Sequence, residues 1–238
     1  MIVLAMDTSS ANAAVAVMND KKLIGEYIIS NDRTHSQIIM PLLEDLLVKC
    51  GLKAADVDVF AVATGPGSFT GVRIGMASVK TLAQMCGKPV IGVTSLDSLA
   101  ENCSMFGGLV CPIIDARRGE VYNALYRGGE KICDERVINL EQLLADIGDE
   151  QVIFCGDGVV SYADVINEHN RGNWIIAPQN ISMQKASSLC QIAYKRALNG
   201  DFDNVYSLVP LYLRKSQAER ELESKGGGAA PKPRTSES

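Results

Sequence analysis

Histidine is nearly absent: only His35 and His169 occur in 238 residues, far apart. A metallopeptidase commonly sets two His on one helix face, and no second His follows His35 a turn later. The seven cysteines, at 50, 86, 103, 111, 133, 155 and 190, contain no C-x-x-C. Their odd number and apolar surroundings fit reduced core thiols in a cytoplasmic protein, not disulfides or a zinc site. Apolar runs fall far short of the ~18–20 residues that span a bilayer. The start, "MIVLAMD", has no basic leader or small-residue cleavage site, so no signal peptide is read. Basic excess is missing too. The formal net charge is −5, whereas a stand-alone nucleic-acid binder needs clustered Lys and Arg. There is no G-x-S-x-G elbow, and Ser68 in "GSFTG" resembles one only superficially. What is present is globular composition, 47% hydrophobic and 21% charged, long enough for one large domain or two ordinary ones.

Short β-type runs open the chain: "IVLAMD" (2–7), "AAVAVM" (13–18) and "KLIGEYII" (22–29), the last two joined by a hairpin signal, "MNDKK". Residues 35–50, "HSQIIMPLLEDLLVKC", carry Ile39, Leu42, Leu43, Leu46 and Leu47 at helical spacing. Pro41 should kink this helix or shift its start. "VDVFAVA" (57–63) reads as a buried strand, then a Gly loop, a helix to about Met85, a strand at 88–93, and a helix capped by Thr94 or Ser95.

The second half repeats this order. With Asp115 placed on Asp7, "LAMDTSSANAAVAVMNDKKLIGEYII" runs without a gap against "PIIDARRGEVYNALYRGGEKICDERV". A helix at 139–147 follows, then "QVIFCGDG" matching "FAVATGPG". The expected class is α/β, a duplicated ribonuclease-H-like fold of the actin-like ATPase superfamily. Its two β-β-β-α-β-α halves are residues 1–105 and 106–216, with a disordered tail at 217–238. The alternative is a generic α/β domain whose strands merely look alike.

That superfamily holds ATP between its halves, so the turns decide function. "DTSSAN" at Asp7 is an Asx or Ser/Thr turn capping its own backbone, or a device placing a metal-bound water or phosphate. "DARRGEV" at Asp115 puts Ala116, Arg117 and Arg118 where backbone amides would need to approach phosphates. The two arginines are solvated surface, or hold an anion or partner by charge. Gly156 and Gly158 in "GDG" are a remnant of an adenosine loop, or a plain turn. These four positions, Asp7, Asp115, Gly156 and Gly158, are the vestigial nucleotide site. "TGPGSFTGVRIG" (64–75) lacks G-x-x-x-x-G-K-[ST] and reads G-x-G-x-x-x-G. It is read as packing glycine. Gly65, Gly67 and Gly71 permit a tight strand-to-helix turn, while Gly75, Ala77 and Ser78 keep the helix face small.

"GPGSFTGVRIG" together with "VKTLA", "PVIGVTSLDSLA", "DARRGEVYNALY", "GDG" and "PLYLR" resembles the TsaB (YeaZ) family from Met1 to about Arg214. The resemblance implies a non-catalytic subunit in the making of threonylcarbamoyladenosine beside the anticodon of ANN-decoding tRNAs, with no cofactor of its own. It implies a catalytic paralogue, TsaD, as partner, an ATPase, TsaE, joining the pair, and a homodimer when alone. Pairing would use the first two helices, with Ile38, Leu42, Leu46, Val72, Arg73, Met76 and Val79 at the contact. The alternatives are an actin-like ATPase and a metallopeptidase-like enzyme.

Overall fold

The computed structural model describes residues 1–31 and 33–214; the tail expected at 217–238 lies outside the described residues. The first half runs β1 (Ile2–Asp7), β2 (Ala13–Asn19), β3 (Lys22–Ile29), α1 (His35–Lys49), β4 (Val59–Ala63), α2 (Phe69–Cys86), β5 (Val90–Val93) and α3 (Ser95–Asn102). The second runs β6 (Leu109–Arg117), β7 (Glu120–Arg127), β8 (Glu130–Asn139), α4 (Leu140–Ile147), β9 (Val152–Cys155), α5 (Asp157–His169), β10 (Trp174–Ile176), α6 (Gln179–Ser182) and α7 (Ala186–Leu198). The sheets are ordered β3-β2-β1-β4-β5 and β8-β7-β6-β9-β10. In each, the first three strands pair antiparallel and the last two join parallel. The duplication is therefore structural, and the α/β expectation holds.

Alternation along the first sheet assigns its two faces. Leu4, Met6, Val15, Val17, Phe60 and Val62 meet α1 and α2 on one face. Val3, Ala5, Ala14, Ala16, Ala61 and Ala63 form the other, and α7 lies on it with Ala186, Leu189, Cys190 and Ala193. The alanines on both sides permit close approach. In the second sheet Cys111, Ile113, Val121 and Phe154 meet α4 and α5, while Val110, Ile114, Ala124 and Ile153 are covered by Leu96, Leu99 and Ala100 of α3. The halves thus exchange helices: α3, from the first, covers the second sheet, and α7, from the end of the chain, covers the first. All seven cysteines are free, and Cys103, Cys111, Cys155 and Cys190 are buried in these layers.

Three local expectations are refined. Pro41 neither shifts nor stops α1, which runs from His35 to Lys49. Pro41 and Gln37, whose carbonyl loses its partner, are both exposed, so that carbonyl faces solvent. Thr94 caps α3, its hydroxyl accepting from Asp97 N–H at 3.0 Å. β6, read as ending at Asp115 before a short polar turn, continues to Arg117 and turns tightly into β7 at Glu120.

Candidate functional site

The C-terminal ends of β1, β4, β6 and β9 converge on a cleft between the sheets, where ligands bind in open α/β folds. Two cavities occupy it, ≈ 630 and ≈ 490 Å³, and they share Ser10, Ala11 and Asp157. The larger has walls of Val159, Val160, Ile176 and Met183, with Gln184 at its edge. The smaller is lined by Ser9, Gly67, Ser68, Asp115, Arg117 and Arg214 among others.

Asp7 ends β1 fully buried, and its Oδ1 accepts from the N–H and hydroxyl of Ser9 at 2.8 and 2.7 Å. Burial pushes its carboxyl above the ordinary value, against the pull of those bonds and of nearby His35. Oδ2 has no protein partner. Of the two readings of this turn, the self-capping one is built. The N-cap of α1 is Thr34, and His35 Nε2 lies 2.8 Å from Ser10 O, bracing the β1–β2 loop. His169 sits at the far end of α5. Among the described residues no three His, Cys, Asp or Glu side chains gather in a way that could hold a metal.

The glycines of residues 64–75 close on protein. A Cβ on Gly67 would stand 2.2 Å from Ser9 O, one on Gly71 2.0 Å from Thr8 O, and one on Gly75 2.5 Å from Thr8 Oγ1. Ser68 N–H donates to Ser9 O at 2.7 Å, and the Ser68 hydroxyl caps α2 by accepting from Gly71 N–H. The loop therefore clamps the first turn, and what comes close is backbone. Ala77 departs from the expected small face: it points to solvent.

The second turn is equally closed. Asp115 Oδ1 accepts from Arg117 N–H at 2.7 Å and from the Tyr162 hydroxyl at 3.0 Å, and Asp115 Oδ2 pairs with Arg117 Nη1 at 3.2 Å. Arg117 and Arg118 both take left-handed backbone, φ 68° and 60°, which disfavours residues with a Cβ. Asp157 Oδ1 accepts from Asp115 N–H at 3.2 Å. Burial first, then the Asp115 charge, holds its carboxyl above the usual range. Gly156 and Gly158 press on Ile113 O, 2.2 and 3.0 Å from a built Cβ, so "GDG" is a packed turn. At the two phosphate-turn positions the amides of Ser9, Asp115 and Arg117 are engaged by the chain's own carboxylates. These residues do not fit a nucleotide's phosphates as an amide cradle.

The helix face expected at a partner contact needs correction. Ile38, Leu46, Val72, Met76 and Val79 are buried within the chain's own core, and Leu42 is half-buried against it. α1 lies on β2 with α2 beside it, so an apolar arc wider than one stripe is consumed by two neighbours. Arg73 is exposed but engaged: its guanidinium lies 3.8 Å over the Phe69 ring and its Nε–H donates to the Tyr212 hydroxyl at 2.8 Å. The outward faces are Met40, Pro41 and Val48 on α1, and Ala77, Thr81 and Met85 on α2. Gln184, 2% exposed with its Nε2 unpartnered, carried no signal in the sequence, because its neighbours are all supplied by tertiary packing.

Comparison with known proteins follows the same lines. The family model described as "TsaD: tRNA N6-adenosine threonylcarbamoyltransferase" matches residues 22–222. The Bacillus subtilis tRNA threonylcarbamoyladenosine biosynthesis protein TsaB is 34% identical, over 92% of this chain and 96% of the relative. The solved YeaZ of Pseudomonas aeruginosa superposes with TM-score 0.76 at 28% identity, over 89% and 99% of the two chains. A Clostridium difficile 2-hydroxyisocaproyl-CoA dehydratase activator with bound ADPNP shares the fold alone, with TM-score 0.54 at 11% identity over 84% and 97%. On a match that spans most of both chains, the chain belongs to the TsaB (YeaZ) family.

Proposed function

We propose that this chain takes part in threonylcarbamoyladenosine biosynthesis as a non-catalytic partner of a TsaD-type transferase, joined by a TsaE-type ATPase. The observation that carries the reading is the closure of both phosphate-turn positions by the chain's own backbone and carboxylates. A family member built this way contributes a surface, not chemistry. That surface is the outward side of α1 and α2, where Met40, Val48 and Met85 are 41, 70 and 79% exposed. Two such helices paired with a similar pair make a four-helix contact, so a homodimer and a heterodimer compete for one face. Arg117 and Arg118, exposed at the hairpin tip, supply a second contact by charge.

The test is reconstitution with TsaD- and TsaE-type proteins and unmodified ANN-decoding tRNA. Omitting this chain abolishes modification, and replacing Arg117 and Arg118 together by Ala weakens it with the fold intact. Alone, the acidic chain gives no submicromolar gel shift with tRNA at moderate salt. Full modification without this chain would overturn the reading.

A further inference from the structure

Residues 203–214 leave α7 and return across the first half to the mouth of the cleft. Asp203 N–H donates to Val90 O at 2.9 Å, and Gly92 N–H donates to Asp203 Oδ2 at 2.8 Å. Lys80 of α2 donates to Leu208 O at 2.9 Å. Leu211 N–H donates to Thr64 O at 2.8 Å, and the Tyr212 ring stacks on Phe69 with centroids 4.7 Å apart. Two residues on, Arg214 crosses to the other half. Its Nη1–H donates to Ala116 O at 3.0 Å, and its guanidinium pairs with Glu120 on the β6–β7 hairpin. The smaller cavity is walled by residues 211–214 on this side.

We infer that this strap is a latch, with Arg214 as its catch, that fixes the two sheets against each other so that the chain works as a rigid body and not as a hinge closing around a ligand. The halves are already joined where α3 and α7 pack together; the Ser188 hydroxyl of α7, for example, donates to Asn102 Oδ1 of α3 at 2.5 Å. Neither helix lines the two cavities. One attachment away from the cleft leaves the halves free to swing. A second one at its mouth removes that rotation. The first-half anchors are backbone bonds and a ring stack, spread over β4, β5 and α2. The crossing relies on the Arg214 side chain, which is only 21% exposed, so its charge-assisted bonds are partly shielded from solvent. The inference rests on these contacts and not on the role proposed above.

Hydrogen exchange with mass spectrometry on the full chain tests it. Arg214→Ala removes the catch, and Glu120→Gln weakens it at a residue that leaves the core untouched. Arg171→Ala, which breaks an exposed pair with Asp149 inside the second half, is the control. If the latch restrains a hinge, both catch variants speed exchange about tenfold at 8–12 and 156–160, on the two sides of the cleft, with the central strands β1 and β6 unchanged. Acceleration confined to 116–120 and 211–214, a uniform rise over the chain, or no change would each overturn it.

Discussion

Burial governs Asp7, and the sign of its effect on stability follows. Its folded-state carboxyl titrates above the ordinary 3.8. Below that value both folded and unfolded states hold the proton. Above it the unfolded state releases the proton first, so stability falls as pH rises towards the folded value. Asp7→Asn keeps an oxygen to accept from Ser9 and removes the ionisation. The variant should melt higher than the parent at pH 7, with the gap closing as pH falls towards 4; thermal melts across pH 4–8 check this. Arg118 sits in left-handed backbone with no glycine to relieve it. Arg118→Gly should stabilise the fold by about 0.5–1 kcal/mol in urea unfolding, even where it weakens a partner contact.

At the scale of elements, the glycine clamp is the most exacting. Gly71→Ala puts a Cβ 2.0 Å from a backbone oxygen that cannot move without β1. It should cost about 3 kcal/mol or more, or prevent folding. Gly107→Ala meets nothing within 4 Å and should stay within about 0.5 kcal/mol of the parent. For α1 and α2, Met40→Glu with Ala77→Glu should leave a folded monomer by light scattering and circular dichroism, unable to capture a TsaD-type partner. Ile38→Glu or Met76→Glu should instead unfold the chain, because both are core. Periodicity showed which residues of α1 share a face. It could not show that α2 covers part of that face, since the covering comes from residues thirty positions away. The strands were legible for the opposite reason: "AAVAVM" and "VFAVA" alternate large and small residues, and each strand carries its own register.

For the whole molecule, the duplication was visible as a repeated order of strands and turns, because a sheet must bury the same apolar pattern twice. The exchange of α3 and α7 was not visible. Both are amphipathic helices, and nothing local says which sheet an apolar face will meet. The cleft was half legible. The missing phosphate patterns pointed to packing glycine, but the partner of that packing, the backbone of Thr8 and Ser9, appears only in three dimensions. The bond of His35 to Ser10 was not legible either, since it joins two segments 25 residues apart.

The central claim is that the turns at Asp7 and Asp115 engage amides of their own and offer no amide cradle to a nucleotide's phosphates, and on it rests the proposal that the lone chain has no chemistry of its own. Isothermal titration of the purified chain with Mg-ATP, with phosphate release followed in parallel, addresses it directly. The account predicts no saturable heat up to about millimolar ATP, a binding free energy weaker than about −4 kcal/mol, and no turnover. Micromolar binding with phosphate release by the chain alone would contradict it.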